Sequence, residues 1–406
     1  MAKDNIVVGL DVGTTKVAVT VGLPVEGLIK IIGYSKTPNA GMRKGTVVDV
    51  EDTVSAISLA LEEAERMAGT PITSVFVSIG GNNIISTLSK GVIAVSRADG
   101  EVTRSDTQRV IEAAKSVALP PNREIIHCIP KNFSVDAQSG IPDPVGMNGI
   151  RLETQAIVIG AATSTVGNLS KCLHQAGVNI DGMVFNGLAS SKALLTKKQK
   201  EMGVMLVDIG GGTTSIAIFE EGDLSHAAVI PIGSMHITND IAIGLRTSLE
   251  MAEKIKVQYG SAMPATISES EKINMSAIDP QDKQRIERRY LAEIIHARTM
   301  EILNLIREEL KKIGRDGMLP AGVVLTGGGS KLEDLVELAK EELRLPVEVG
   351  MPVVDIDGLV DKIADGVYST SVGLMLYGLE NPGEAIHLST DGMVDKAKSF
   401  LKQFLP

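Results

Sequence analysis

The chain has 406 residues, with 50 Asp or Glu against 40 Lys or Arg, a formal charge of −10 and a pI near 5.3. That balance excludes a protein whose grip rests on neutralising nucleic-acid phosphates, while the length accommodates about two to four domains. Two cysteines in unlike surroundings, Cys128 and Cys172, exclude a disulfide framework and fit a reduced, cytosolic protein.

In chain order, strands are predicted at 5–12, 15–22 and 28–34, followed by a helix opened by Asp49 or Asp52 and running through Ile57, Leu61 and Ala64 to Gly69. A strand at 72–80 closes this β-β-β-α-β unit. The interval from Ile84 to Ala161 departs from it: strand 84–95, helix 104–118 begun by Thr103 or Ser105, then strands 125–136 and 152–161. This is a small α+β insert. A helix at 165–176 ended by Gly177, a strand around Gly182 to Phe185 and a helix from Ala189 to Lys198 lead to a strand from Val204. Next come a strand at 224–232, helices at 234–245 and 248–258, and a polar stretch with Pro264 and Pro280. A long helix from about Arg285 to Ile313 is amphipathic through Leu291, Ile294, Ile295, Ile302, Leu305 and Ile306. Strands at 322–326 and 346–349, a helical pattern from Leu332 to Leu343 and the apolar segment Ala364 to Gly378 complete the body. The run Ile6 to Leu10 is too short for a signal segment and is interrupted by Asp11, and no stretch reaches the roughly eighteen apolar residues of a spanning helix. A protein made and kept in the cytosol is expected.

Three glycine-rich turns carry the chemistry. Val204 to Val207 end in Asp208, then Gly210, Gly211, Gly212, Thr213 and Thr214 turn into an alternating strand through Ile216 and Ile218. Near the N-terminus, Ile6 to Leu10 lead to Asp11 and Gly13-Thr14-Thr15-Lys16, followed by Val17, Val19 and Val21. The third turn is Thr326-Gly327-Gly328-Gly329-Ser330, after an apolar run. Glycines let backbone N–H groups face an anion, hydroxyls add donors, and an acid at a strand end suits a hydrated divalent cation. Taken singly, such a run is equally an ordinary turn. Two hairpins facing each other across a cleft, with the third loop behind, would hold a triphosphate and its base. There is no G-x-x-x-x-G-K-[ST], and Ser215 stands where a dinucleotide fingerprint needs its third glycine. The six histidines show no metal-ligand spacing.

GLDVGTTK at 9–16, VDIGGGTT at 207–214 and LTGGGSKLEDL at 325–335 resemble the phosphate-1, phosphate-2 and adenosine motifs of the actin/Hsp70/hexokinase ATPase superfamily. More narrowly, FNGLASSKALLT at 185–196, IPIGSMHITNDIAIGL at 230–245 and AEKIKVQYG at 252–260 resemble the FtsA family of bacterial cell-division proteins. The resemblance covers nearly the whole chain. It implies an α/β, actin-like (RNase H-like) ATPase fold, two duplicated halves around a nucleotide cleft, with an inserted SHS2-like 1C subdomain and a C-terminal amphipathic helix. Residues 1–84, 162–200 and 360–380 would form subdomain 1A, and 85–161 subdomain 1C. Residues 201–245 and 316–359 would form 2A, 246–315 would form 2B, 381–391 a tether and 392–406 a membrane-targeting helix.

Roles follow from the same resemblance. Asp11 and Asp208 would be the catalytic acids, orienting Mg²⁺ through its waters, while Gly13 to Lys16 and Gly210 to Thr213 cradle the phosphates of ATP and Gly233 adjoins them. Gly327, Gly328 and Gly329 would back the adenine. Glu253 and Lys256 would reach ribose or base, although an exposed helix face explains that pair as well. Vigorous ATPases of the superfamily place Glu or Gln before phosphate-2, where this chain has Asn186-Gly187-Leu188, and Ser215 replaces an Asp. Slow hydrolysis is therefore expected. Arg298, and next Arg289, would meet the acidic C-terminal peptide of FtsZ. The other implied partners are further copies in a polymer, a lipid surface at the division septum and later division proteins.

The C-terminal segment carries its own signal. On a helical wheel, Met393, Val394, Ala397, Phe400, Leu401, Phe404 and Leu405 fall within an arc of about 140°, with Lys396 and Lys398 at its borders. Such a helix suits an anionic membrane interface, or docks on its own domain. A pilus-assembly ATPase-like scaffold would explain the insert but not this tail, and a small-molecule kinase would need a catalytic base.

Overall fold

The structure, a computed structural model, describes residues 6–25, 28–116, 119–278, 284–351 and 356–381. Strands β1 (Val7–Val12), β2 (Lys16–Val25) and β3 (Leu28–Pro38) form an antiparallel meander. A short hairpin, β4 (Met42–Arg43) and β5 (Thr46–Val47), leads to helix α1 (Val50–Ala68), and β6 (Ser74–Ile79) then lies parallel to β1. The Asp49 carboxylate accepts from the Asp52 N–H to start α1, and Gly69, at φ 70°, ends it.

The insert is a second sheet. Its members are β7 (Ile85–Ala94), β8 (Arg123–Val135), β9 (Gln138–Ile141) and β10 (Arg151–Ala162), in the order β7-β10-β8-β9, with helix α2 (Arg104–Lys115) packed on it. Thr103 begins α2 through a capping box with Asp106. That buried carboxyl is held well below its usual range, chiefly by the Thr103 hydroxyl. Sequence reasoning missed β9, which returns from β8 through Asp136 at φ 52°.

Helix α3 (Thr163–Gln175) and β11 (Asn179–Phe185) rejoin the first sheet, and α4 (Asn186–Leu194) and α5 (Lys197–Met202) cross to the second half. One helix was predicted here. The structure breaks it at an extended Leu195, and Thr196 restarts it by a capping box with Gln199. Strands β12 (Val204–Ile209), β13 (Thr214–Glu220) and β14 (Asp223–Ile230) repeat the opening meander. After α6 (Ser234–Leu245) and α7 (Leu249–Tyr259), β15 (Lys272–Asn274) pairs with β16 (Arg285–Glu287), and α8 (Arg288–Lys312) follows. The long helix thus starts three residues later than predicted, because Ile286 pairs with the buried Ile273 instead of joining it. The chain closes with β17 (Val323–Thr326), α9 (Leu335–Leu343), β18 (Val347–Val349), β19 (Ile356–Gly358), α10 (Val360–Ile363) and α11 (Ser369–Glu380).

The halves are duplicates. The first sheet runs β11-β6-β1-β2-β3-β19 and the other β18-β17-β12-β13-β14, so strand for strand β1, β2, β3, β6 and β11 correspond to β12, β13, β14, β17 and β18. In each, the central meander is antiparallel and the next two strands are parallel to its first member. Both central strands are buried over most of their length, as expected of sheets covered on both faces. β19 joins the first sheet beside β3, whereas the sequence reading carried the second half to residue 359. Helices α4 and α11 cross between the sheets, where a Cβ on Gly373 would lie 1.9 Å from the Ala189 carbonyl oxygen. Among the described residues no helix is long and apolar enough to cross a membrane.

Candidate nucleotide cleft

Asp11 and Asp208 occupy the same place in their sheets, next to last in β1 and in β12. Two residues on, the same turn forms twice: the Gly13 N–H donates to the Lys16 carbonyl over 2.8 Å, and the Gly210 N–H to the Thr213 carbonyl over 2.9 Å. The two turns meet tip to tip. A Cβ on Gly211 would lie 2.5 Å from Thr15 Cγ2, and one on Gly212 would lie 2.7 Å from Thr14 Oγ1, so this approach requires glycine.

Between the halves lies a cavity of about 870 Å³, walled by both acids, Gly13 to Lys16, Gly210 to Thr213, Gly327 to Gly329, Glu253 and Lys256. Gly233 stands behind the wall. It presses on the second turn, while the N–H groups of Ser234 and Met235 bind the carbonyls of Gly210 and Gly211 at 2.9 Å. The third loop reaches Asp208 because Gly327, at φ 83°, has no Cβ; one built there would lie 2.3 Å from Asp208 Oδ1. Glu253 and Lys256 pair with each other at 2.7 Å, and Lys256 also donates to Thr238 Oγ1 at 2.8 Å. They form a fixed polar post on the cleft wall, with Lys256 Nζ largely covered.

The acids differ in their partners. Asp11 accepts from Lys16 Nζ at 2.6 Å and from Ser78 Oγ at 2.8 Å. Among the described residues, Asp208 is met only by hydroxyls, both on Oδ2, Thr370 at 3.2 Å and Ser190 at 3.4 Å. Burial first, then the charge of Asp11, pushes the Asp208 carboxyl up to about 6. A cation between the two acids would supply the positive charge that Asp208 lacks, and bare glycine backbone beside them leaves room for phosphate. The donor set therefore fits a nucleotide with a hydrated divalent cation.

Ser78, Ser190 and Thr370 escaped the sequence reading. Of the segment Asn186-Gly187-Leu188 singled out in the sequence, Asn186 lines the cleft, whereas Gly187 is shut behind it: a Cβ there would lie 2.8 Å from Phe185 Cε1. Arg298 and Arg289 lie on α8, away from the cleft. Arg298 grips Asp240 through Nε at 2.6 Å and Nη2 at 3.1 Å and also pairs with Glu301; Arg289 pairs with Glu269 at 2.7 Å. Met393, Ala397, Phe400, Leu401 and Phe404 lie outside the described residues.

Residues 205–373 match the family model for cell division protein FtsA, and residues 81–160 the model for the SHS2 domain inserted in it. The FtsA of Pseudomonas aeruginosa is 41% identical over 389 residues, covering 96% of this chain and 93% of that protein. The chain belongs to the FtsA family of cell division proteins. The FtsA of Escherichia coli K12 is 37% identical over 401 residues, covering 97% of this chain and 93% of that protein. For Bacillus subtilis FtsA the figures are 39% over 381 residues, 94% and 85%. Among solved structures, the PilM-PilN type IV pilus biogenesis complex aligns at TM-score 0.67 and 17% identity, over 92% of this chain and 99% of that one. MreB5 of Spiroplasma citri bound to ADP aligns at TM-score 0.55 and 12% identity, over 92% and 96%. Likeness at these identities shows a shared fold, the actin-like one. The FtsA match from residue 205 to 373 runs from β12 into α11 and so takes in Asp208, Gly327 and Thr370.

Proposed function

We propose that the cleft binds ATP with Mg²⁺, and that this FtsA-family chain assembles with further copies and links the C-terminal peptide of FtsZ to the cytoplasmic face of the membrane. It would act at the division septum and recruit later division proteins there. The observation that carries the nucleotide reading is the pair Asp11 and Asp208, presented by duplicated glycine turns to one cavity. When bound, the nucleotide supplies the phosphates and its cation the charge that this pair complements. Asp11, braced by Lys16 and Ser78, and Asp208, braced by Thr370 and Ser190, would hold the cation's waters. The Gly13 to Lys16 and Gly210 to Thr213 turns would cradle phosphate, Gly233 would hold the second turn in place, and Gly327 to Gly329 would close over the base. Glu253 and Lys256 would face ribose or base.

Arg298 and Arg289 remain the residues proposed to meet the FtsZ peptide. Because Asp240 already occupies the Arg298 fork, an acidic peptide would bind there by displacing Asp240 from it. The amphipathic segment with Met393, Ala397, Phe400, Leu401 and Phe404 is proposed to lie in the membrane interface. One such helix binds weakly, and many on one polymer add avidity of roughly 10² to 10⁴. Sedimentation with anionic liposomes, with and without ATP and FtsZ, tests this. Phe400→Glu with Phe404→Glu should release the chain from liposomes and leave FtsZ-peptide affinity intact. Undiminished pelleting of that variant would remove the tail from the account.

A further inference from the structure

An ammonium group has three donors and no acceptor. All three donors of Lys256 are engaged by the protein: Glu253 Oε2 at 2.7 Å, Thr238 Oγ1 at 2.8 Å and the Ser234 carbonyl at 3.3 Å. Only 10% of its side chain is exposed. A nucleotide that took a hydrogen bond from Lys256 would first have to break one of these. Glu253 is the reverse case. About half of its side chain is exposed, and both of its bonds, from Lys256 and from the Thr238 hydroxyl, go to Oε2, so Oε1 is kept for the cavity that Glu253 lines.

Ser234 opens α6, and Thr238, one turn on, projects from the same face. Thr238 is buried, donates to Glu253 and accepts from Lys256, so one hydroxyl joins both members of the post to α6. The Ser234 carbonyl that Lys256 holds shares a planar peptide unit with the Met235 N–H, and that N–H donates to the Gly211 carbonyl at 2.9 Å. Fixing one end of the unit aims the other. The Ser234 N–H binds the Gly210 carbonyl at 2.9 Å, and the Gly233 N–H donates to His236 Nδ1 at 3.1 Å. A chain of bonds thus runs from the carboxylate on α7 through the first turn of α6 to the second glycine turn, within the wall of the cavity.

We infer that Lys256 is a positioning residue that bonds to no part of the nucleotide, and that with Thr238 it couples the nucleoside end of the cleft to its phosphate end. This rests on the reading of the cleft as a Mg²⁺-ATP site and narrows the part of Lys256 in it. Glu253 offers Oε1 to the nucleoside, the turn from Gly210 to Thr213 takes phosphate, and the relay holds the two at one spacing. A ligand carrying both groups finds both subsites already set, which removes the loss from ordering them on binding. A ligand made of phosphates alone gains nothing from that spacing.

Calorimetry on the full chain reads ATP with Mg²⁺ and, as a probe without a nucleoside, inorganic tripolyphosphate with Mg²⁺. Thr238→Val and Lys256→Met should each weaken ATP about tenfold and leave tripolyphosphate within about threefold of wild type. The double variant should lose no more than the worse single one, because both changes cut one chain. Thr238→Ser keeps the hydroxyl and should bind ATP within about threefold of wild type. Should Lys256→Met fail to fold, the contrast between Thr238→Val and Thr238→Ser decides alone. A lysine that bonded to the nucleotide itself would be freed by Thr238→Val, so undiminished ATP binding in that variant would overturn the inference and leave the nucleotide reading standing. Losses that multiply in the double variant, or that fall equally on tripolyphosphate, would overturn it as well, the first by showing separate roles and the second a general loosening of the turn. A folded wild-type chain that binds no ATP would overturn the nucleotide reading and the inference with it.

Discussion

The Thr370 hydroxyl donates to Asp208 Oδ2 over 3.2 Å, tying the first turn of α11 to the acid of the second hairpin across 162 residues of chain. Its neighbours point the other two ways. Ser369 pairs with Thr326 of the second sheet at 2.8 Å and Ser371 with Thr20 of the first at 2.8 Å. Three successive hydroxyls therefore fasten one helix to both halves and to the cleft between them. Thr370→Val keeps the shape and removes the donor, and losing one hydrogen bond to a charged group corresponds to about 1.5–3 kcal/mol. Calorimetry should show Mg²⁺-dependent ATP affinity falling about tenfold or more, while unchanged affinity would detach Thr370 from the site.

Asp208 makes stability depend on pH. Its carboxyl is raised to about 6 in the folded chain by burial and then by Asp11, so between about 4 and 6 the native state holds a proton the unfolded chain has released. Stability contributed by the protonated form is full below about 4 and lost as pH rises through 6, to the extent of about 3 kcal/mol. Denaturant unfolding of the nucleotide-free chain against Asp208→Asn should show the variant gaining on wild type over that interval. Parallel curves would contradict the charge assignment.

His127 works in the opposite sense. Burial holds its imidazole down at about 4, and the neutral Nε2 accepts from the Phe185 N–H, fixing the insert to the residue before Asn186. This contribution is present above the ordinary histidine pKa and disappears as pH falls through about 4, again roughly 3 kcal/mol. His127→Leu should cost about 1–3 kcal/mol at neutral pH by orphaning a buried N–H, and His127→Gln, which retains an acceptor, should cost less. Equal losses for the two variants in urea unfolding would mean that packing, not the hydrogen bond, matters there.

What could be read from the sequence was local. Asp11, Asp208 and their glycines lie within single hairpins, so strand alternation and turn residues announce them together. Ser78, Ser190 and Thr370 reach the same acids from remote strands and helices, and only the run Ser369-Thr370-Ser371 at the head of an apolar helix hinted at a buried hydroxyl layer. Helix starts moved where tertiary contacts overrode pattern. Ile286 pairs with Ile273, and Asp334, at φ 63°, turns aside to accept from Ser261 at 2.6 Å, so α9 begins at Leu335 rather than Leu332. Strand β19, three residues long, offers no periodicity to read.

Arg298 offers a check on the peptide proposal. Its guanidinium is committed to Asp240, so Asp240→Asn should free it and strengthen binding of an acidic FtsZ C-terminal peptide about threefold to tenfold, whereas Arg298→Glu should abolish it. Titration calorimetry with the peptide reads both. A peptide indifferent to both changes binds elsewhere.

The central claim is that two duplicated acids hold nucleotide through a divalent cation, and titration of ATP with and without Mg²⁺ into wild type and Asp208→Asn tests it most directly. Wild type should bind far more tightly with Mg²⁺, and the variant should lose about tenfold or more of that affinity while melting no lower than wild type. Binding of equal strength in both proteins, indifferent to Mg²⁺, would contradict the account.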